Sequence, residues 1–193
     1  AQRHATADLN HQGSSADWYF DVKKSGGYLI EQSVHNLDLC NWAVGDHPVR
    51  CCGFGGTLLY KNQPAGRTIF DCGSLTYEYP NGAKLSFTQN VFQARGFPGG
   101  SQYVYVFGSK ASLDLYSTNT LFPVGEGKPS LLAEKTKDSP HAHITAFYDC
   151  ITKGAESPAD IVVGAQAALT SIMGHEAMTR GRVVNWSDLG VDV

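Results

Sequence analysis

Three titratable side chains and a tryptophan recur at helical spacing early in the chain, at Glu31, His35, Asp38 and Trp42. At about 100° per residue they fall within about 40° of one line. Cβ atoms at i+3 and i+4 are roughly 5–6 Å apart, so a carboxylate can orient a neighbouring imidazole. This is how a general acid/base is built, which makes His35 the candidate proton-transfer group. A second interpretation stays open, in which His35 is a satisfied, half-buried histidine and the carboxylates are solvated or capping groups.

Two further motifs resemble a metal site and a dinucleotide loop, but neither is predicted to bind such a ligand. His141 and His143 sit at a predicted helix start, where residues i and i+2 diverge by about 200° and cannot share a metal ion. We expect no metal site, and keep His141 as a residue that lines a pocket. The stretch 53–56, Gly-Phe-Gly-Gly, resembles a dinucleotide loop, but Leu58 takes the last glycine position and strand-like sequence follows. It predicts an irregular strand or a bulge.

The composition of the chain excludes some classes of binding partner. The 193 residues carry a net charge of −3, and the 15 basic residues are scattered, so nucleic acid is not an expected partner. No run approaches the roughly 18 apolar residues that span a bilayer, and no membrane association is expected. Five cysteines without a C-x-x-C motif exclude a full disulfide framework. Reduced thiols favour a cytoplasmic location.

The elements that position these residues follow from periodicity. Apolar residues at Ile30, Val34, Leu37 and Val44 predict a helix over 27–44 that ends at Gly45. A run of alternating residues follows, with a hairpin turn at Asn81-Gly82. Strands are predicted at 48–60, 67–72, 75–79, 83–88, 101–108 and 111–117, helices at 139–153 and 160–180, and a last short strand at 183–186. This order predicts an α+β fold: a mainly antiparallel, open-faced sheet of five to seven strands with helices packed on one face.

The stretch 25–38 reads S-G-G-Y-L-I-E-Q-S-V-H-N-L-D. It resembles the G-G-x-x-x-(D/E)-x-x-x-H-x-x-D signature of the glucose-fructose oxidoreductase / inositol dehydrogenase (Gfo/Idh/MocA) family. The strand run, the F-G-S-K-A turn at 107–111, the two late helices and the closing V-N-W-S-D-L at 184–189 agree, so the resemblance covers nearly the whole chain.

The resemblance implies a two-domain enzyme. In such proteins an N-terminal Rossmann domain binds NAD or NADP, and a C-terminal α+β domain binds a sugar or polyol and assembles the homo-oligomer. We expect residues 18–193 to be the C-terminal domain and residues 1–17 to be a linker or a remnant of a first strand, with the Rossmann domain absent. The family's catalytic lysine lies in that absent domain, so we expect this chain alone to be inactive and to bind no nicotinamide cofactor.

The resemblance also implies residue roles. His35 exchanges the hydroxyl proton, and Glu31, where many family dehydrogenases have Asp, supports substrate or histidine. Candidate substrate-binding residues are Trp18, Tyr19, Lys24, Asp38 and His141. For the two aromatic residues, the alternative interpretation is that they pack against the helix entry. Two alternatives to a dehydrogenase stay open: an NAD-dependent glycoside hydrolase of the same family, and a non-enzymatic regulator or binding module on the same fold.

The strand at 103–107 bears on assembly because it is apolar on both sides. Tyr103, Tyr105 and Phe107 alternate with Val104 and Val106, so one set must meet something other than water. A second sheet would cover it, as the resemblance also implies. We therefore expect a homo-oligomer through the open sheet face; the alternative is a monomer in which a long loop at 118–130 folds over this strand.

Overall fold

The computed structural model describes residues 17–92, 102–133 and 139–191. Within these ranges the α-helices are α1 (Val22–Ser25), α2 (Tyr28–Glu31), α3 (Val34–Val44), α4 (Ser139–Lys153) and α5 (Ile161–Arg180). The strands are β1 (Arg50–Gly56), β2 (Cys72–Glu78), β3 (Lys84–Asn90), β4 (Tyr105–Phe107), β5 (Ala111–Asp114), β6 (Thr120–Pro123), β7 (Ser130–Leu131) and β8 (Val184–Asn185). The predicted α+β class is confirmed. Each described helix is too short or too polar to cross a bilayer.

The strands form two antiparallel sheets in two compact units. The first unit joins the chain up to Pro98 with Val162–Val193, and its sheet has the order β3-β2-β1-β8. The second unit spans Gly99–Ile161, and its sheet has the order β4-β5-β6-β7. Apart from β8, each strand pairs with a sequence neighbour, as short connections favour. Two four-stranded antiparallel sheets therefore replace the single sheet that we expected: a β1–β3 meander extended by β8, and the meander β4–β7.

The core of the first unit lies between its sheet and helices α2, α3 and α5. The inward side chains of β2 and the residue after it, Leu75, Tyr77 and Tyr79, are at most 4% exposed. They cluster with Leu37 of α3 and Met173 of α5. The alternation in the sequence thus predicted the buried face correctly.

The opposite face of this sheet is open to solvent. Apart from the aromatic Phe54, its residues are small, β-branched or charged: Cys52, Phe54, Ser74, Thr76, Lys84, Ser86 and Thr88 are exposed. Glu78 lies on the same face between Arg50 and Lys84, and their hydrogen bonds to its carboxylate lower its pKa to about 2. Cys51, one residue from Cys52, points into the core, and all five cysteines are free thiols.

Glycines let the first unit pack closely. A Cβ on Gly174 of α5 would lie 2.0 Å from the buried Oη of Tyr77, and a Cβ on Gly53 would lie 2.2 Å from the Ser74 carbonyl oxygen. Gly55 and Gly73 face each other across β1 and β2, and both approach the Sδ of Met178. The glycine-rich stretch 53–56 is therefore part of a strand, as predicted, but its pairing with β2 is continuous, so the predicted irregularity or bulge is wrong.

The segment before β2 is a loop, so the predicted strand at 67–72 is wrong except for its last residue. The carboxylate of the buried Asp71 accepts hydrogen bonds from the backbone N–H groups of Leu58, Leu59 and Tyr60, at 2.7–2.8 Å. Burial alone would raise the pKa of Asp71, but these N–H groups outweigh it and lower that pKa. The N–H groups of residues 58–60 are thus hydrogen-bonded to a side chain rather than to a strand partner.

The second unit differs from the prediction in two places. The predicted loop at 118–130 contains β6 and ends at the start of β7, which extend the meander from β5. Helix α4 has the predicted bounds and belongs to this unit, but its apolar residues Ile144, Phe147, Tyr148 and Ile151 are exposed. The expectation that all three predicted helices cover one sheet therefore holds only for the two in the first unit.

Candidate functional site

The predicted helix over 27–44 is broken between its two candidate catalytic residues. Helix α2 ends at Glu31 and α3 begins at Val34, with a turn at Gln32 and Ser33. The N–H of Ser33 donates to the Tyr28 carbonyl, five residues back, and the N–H of His35 donates to Gln32 rather than to Glu31. The i, i+4 relation assumed for Glu31 and His35 is therefore not that of a regular helix, which corrects our expectation.

Two glycines make the turn that leads into α2. Gly26 has φ +78° and Gly27 has φ +87°, a region that other residues enter only with strain. Gly26 ends α1 by donating its N–H to the Val22 carbonyl. This conformation is the physical reason for the pair of glycines in the motif, and it sets the direction in which α2 and α3 leave.

His35 lies in the first turn of α3 with its side chain exposed. Its imidazole makes no hydrogen bond, ion pair or ring contact with another described residue. The interpretation of His35 as a satisfied, half-buried histidine is therefore wrong. An exposed imidazole without a partner is free to bond to a ligand.

Glu31 is half-buried at the end of α2, and its carboxylate accepts a hydrogen bond from the Gln32 side-chain amide at 2.8 Å. Among the described residues no hydrogen bond joins this carboxylate to His35. The arrangement leaves Glu31 available to a substrate hydroxyl rather than engaged with the imidazole.

Asp38 and Trp42 line a surface depression of about 180 Å³ between α3 and α5. Asp46 and Gln166 also line it, while Glu31 and His35 do not. The Trp42 indole is 68% exposed, and the Asp38 carboxylate has no hydrogen-bond partner among the residues that the structure describes. A flat aromatic face beside oxygen acceptors can contact a polyhydroxylated ligand.

The three candidates upstream of the glycine turn fall on a short 3₁₀ turn and on α1. Trp18 and Tyr19 stack edge to face with ring centroids 5.9 Å apart, and Trp18 is 44% exposed. The Lys24 ammonium lies 3.6 Å from the Asp21 carboxylate, which caps α1 by accepting from the Lys23 N–H. Both aromatic packing and exposure are thus present, which keeps the two interpretations of this pair open.

His141 is exposed on α4, in the second unit, apart in the chain from the other candidates. The stretch 53–56 offers no cradle for a dinucleotide, because Gly53 and Gly55 lie inside β1 against Leu75 and Met178. A nicotinamide cofactor therefore does not fit this glycine-rich stretch.

A family model for the GFO/IDH/MocA C-terminal domain matches residues 2–114, more than half of the chain. The chain belongs to this family. The uncharacterized oxidoreductase YrbE of Bacillus subtilis (strain 168) is 26% identical over 172 residues, which are 85% of this chain and 49% of that protein. Membership of a family of oxidoreductases thus agrees with the motif that contains Glu31 and His35.

Solved structures of an oxidoreductase and a dehydrogenase share the fold. The aldose-aldose oxidoreductase of Caulobacter crescentus, solved with glycerol, superposes with a TM-score of 0.71 at 18% identity, over 90% of this chain and 52% of its own. The WlbA dehydrogenase of Bordetella pertussis, solved with NADH and UDP-GlcNAcA, gives a TM-score of 0.65 at 16% identity, over 89% and 48%. The chain spans about half the length of each of these relatives.

Proposed function

We propose that this chain is the substrate-binding and assembly half of an NAD- or NADP-dependent oxidoreductase that acts on a sugar or polyol. The observation that carries the proposal is His35, an exposed imidazole without a described partner at the position of the family's motif histidine. The glycerol and UDP-GlcNAcA in two structures of the same fold support a hydroxyl-rich substrate. A Rossmann domain in the complete protein would supply the cofactor.

The proposed chemistry divides an alcohol oxidation between two groups. Oxidation of a secondary alcohol to a ketone removes a hydride from carbon and a proton from oxygen, and a nicotinamide cofactor is the group that accepts the hydride. His35 accepts the hydroxyl proton as general base, and returns it as general acid in the reverse direction. Glu31 accepts a hydrogen bond from a neighbouring substrate hydroxyl and so fixes the orientation of the substrate.

The remaining candidates contribute contacts in this proposal. Trp18 and Tyr19 offer aromatic faces, Lys24 a cationic donor, and Asp38 an acceptor, all in the first unit. His141, on α4 of the second unit, stays a proposed substrate-binding residue. The location that we propose is the cytoplasm.

The proposal is tested with the complete protein that carries this chain. NAD⁺ and NADP⁺ are each offered with a panel of aldoses, inositols, sugar alcohols and nucleotide sugars, and cofactor reduction is followed by absorbance. We expect reduction with one class of hydroxyl compound. Release of a sugar from glycosides without net cofactor reduction would instead identify a hydrolase, and ligand binding without turnover would identify a binding module; either result overturns the proposal.

A further inference from the structure

A buried hydrogen bond joins the break between α2 and α3 to the sheet. The Ser33 hydroxyl donates to Oε1 of Gln89 on β3 at 2.9 Å, and both side chains are at most 7% exposed. The bond crosses 56 residues of sequence. Among the described residues of the first unit, it is the side-chain hydrogen bond to another element that lies nearest to His35 in the sequence.

Ser33 is placed where a serine ordinarily stabilises its own helix. It is the residue that precedes α3, a position at which the hydroxyl usually accepts from the N–H of the second or third helical residue. Ser33 makes no such cap, and its backbone is helical, with φ −74° and ψ −10°. The hydroxyl is instead directed to the sheet, so it fixes where the helix starts rather than how well its first turn is bonded.

Gln89 is a polar residue on the inward face of its strand. It follows Leu85 and Phe87 at the period of two, both of which pack on the core, and it is paired across the sheet with Gly73. An inward glutamine costs free energy unless its amide is hydrogen-bonded. The partner of the Gln89 amide oxygen is the Ser33 hydroxyl, in the turn between Glu31 and His35.

We propose that Gln89 is a positioning residue for the proton transfer. Through Ser33 it fixes the start of α3 and so the direction in which His35, two residues later, presents its imidazole to the substrate. The inference rests on the proposed function, and it adds a residue on β3 that does not touch the substrate.

The fold contains a matched control for loss of a buried hydrogen bond. Farther along α3, the Asn41 side-chain amide donates to Oγ1 of the fully buried Thr170 on α5 at 3.0 Å. Thr170→Val removes the acceptor of Asn41, which lies nearly two helical turns after His35 on α3. It should lower stability as much as Gln89→Leu does, without disturbing the break.

The test measures kcat, KM and the thermal midpoint of the complete protein on the substrate found in the panel above. We expect Gln89→Leu and Ser33→Ala to lower kcat about 10- to 100-fold with the cofactor KM unchanged, because displacement of a catalytic group by about 1 Å costs that much. Ser33→Thr, which keeps the hydroxyl, should retain most of the activity. Thr170→Val should retain kcat.

The double variant Ser33→Ala with Gln89→Leu separates positioning from stability. Neither substituted position then carries a buried polar group without a partner, so the thermal midpoint should recover towards that of the unsubstituted protein while kcat stays low. Recovery of kcat together with stability, or a kcat for Gln89→Leu equal to that of Thr170→Val, would overturn the inference.

A wild-type protein that turns over nothing in the panel refutes the proposed function, and the positioning role is then decided by amide hydrogen exchange. Gln89→Leu should speed exchange over 33–37 relative to Thr170→Val. Equal rates there would overturn the positioning role on its own.

Discussion

The three described histidines of the first unit have different surroundings. His47 stacks on Trp186 with ring centroids 3.9 Å apart, and His175 packs beside Phe70 and close to Gly27. Both rings therefore contribute to the folded structure. His35 makes no such contact with another described residue, so we expect its replacement to cost little stability.

His175 should make the stability of the first unit depend on pH. Burial lowers its pKa below the ordinary value of 6.5, although the neighbouring Glu176 carboxylate acts in the opposite direction. The unfolded chain then binds a proton more readily than the folded one, so stability is complete above the unfolded pKa and falls as the pH drops through it. We expect the urea midpoint to decrease between about pH 7 and about pH 5.

Comparison with two glutamine variants isolates this contribution. His175→Gln should flatten the decrease, whereas His143→Gln, at an exposed position on α4, should leave it unchanged. Identical pH dependence in the protein and in His175→Gln would show that His175 does not titrate on unfolding.

Helix α5 carries two glycines with opposite expected effects on stability. A Cβ on Gly174 would collide with the buried Tyr77 hydroxyl, whereas a Cβ on Gly164 meets nothing within 4 Å. We therefore expect Gly174→Ala to destabilise the protein by about 1–3 kcal/mol, since overpacking forces the sheet and helix apart. Gly164→Ala should stabilise it by up to about 1 kcal/mol because alanine favours the helix.

Chemical denaturation of the two variants measures this difference. A loss of stability in both, or in neither, would mean that the close approach of α5 to β2 does not determine the cost.

The elements show which features a sequence can reveal. Alternation at Leu75, Tyr77 and Tyr79 correctly predicted the buried face, because one sheet face is covered by helices and the other is not. The hairpin turn at Asn81-Gly82 was also predicted correctly, here from the turn residues themselves, because Gly82 adopts φ +86°.

The break in the motif helix was not predictable from apolar spacing, since Leu29 and Leu37 are buried on both sides of it. Two signals for it exist in the sequence: a serine in mid-helix at Ser33, and an inward polar residue at Gln89 in a strand. Each is weak alone because only the folded structure brings the two together. The end of the predicted strand at 48–60 was wrong for a similar reason, since the N–H groups of residues 58–60 donate to the Asp71 side chain rather than to a strand partner.

At the scale of the whole molecule, the region of β4 exposes aromatic side chains that suit self-association. The ring of Tyr103, just before β4, stacks on that of Tyr105 with centroids 5.7 Å apart, and Phe107 on the same strand is 82% exposed. We expect the complete protein to be a homo-oligomer of closed symmetry that covers these side chains, as isologous contacts commonly do.

Sedimentation velocity at micromolar concentration tests this expectation. Phe107→Lys should shift the distribution towards the monomer, whereas Val183→Lys, at an exposed position outside both sheets, should not. A monomer throughout the concentration range, without any substitution, would contradict the expected assembly.

The most direct test of the central claim, that His35 is the proton-transfer group of a nicotinamide-dependent oxidoreductase, is the turnover of His35→Asn in the complete protein. We expect kcat to fall by about 10²–10⁴-fold, with cofactor affinity nearly unchanged, because a positioned proton-transfer group contributes that much. The matched variant His143→Asn, at another exposed helical histidine, should keep the full rate. A His35→Asn protein that retains more than about a third of the unsubstituted rate would contradict the claim.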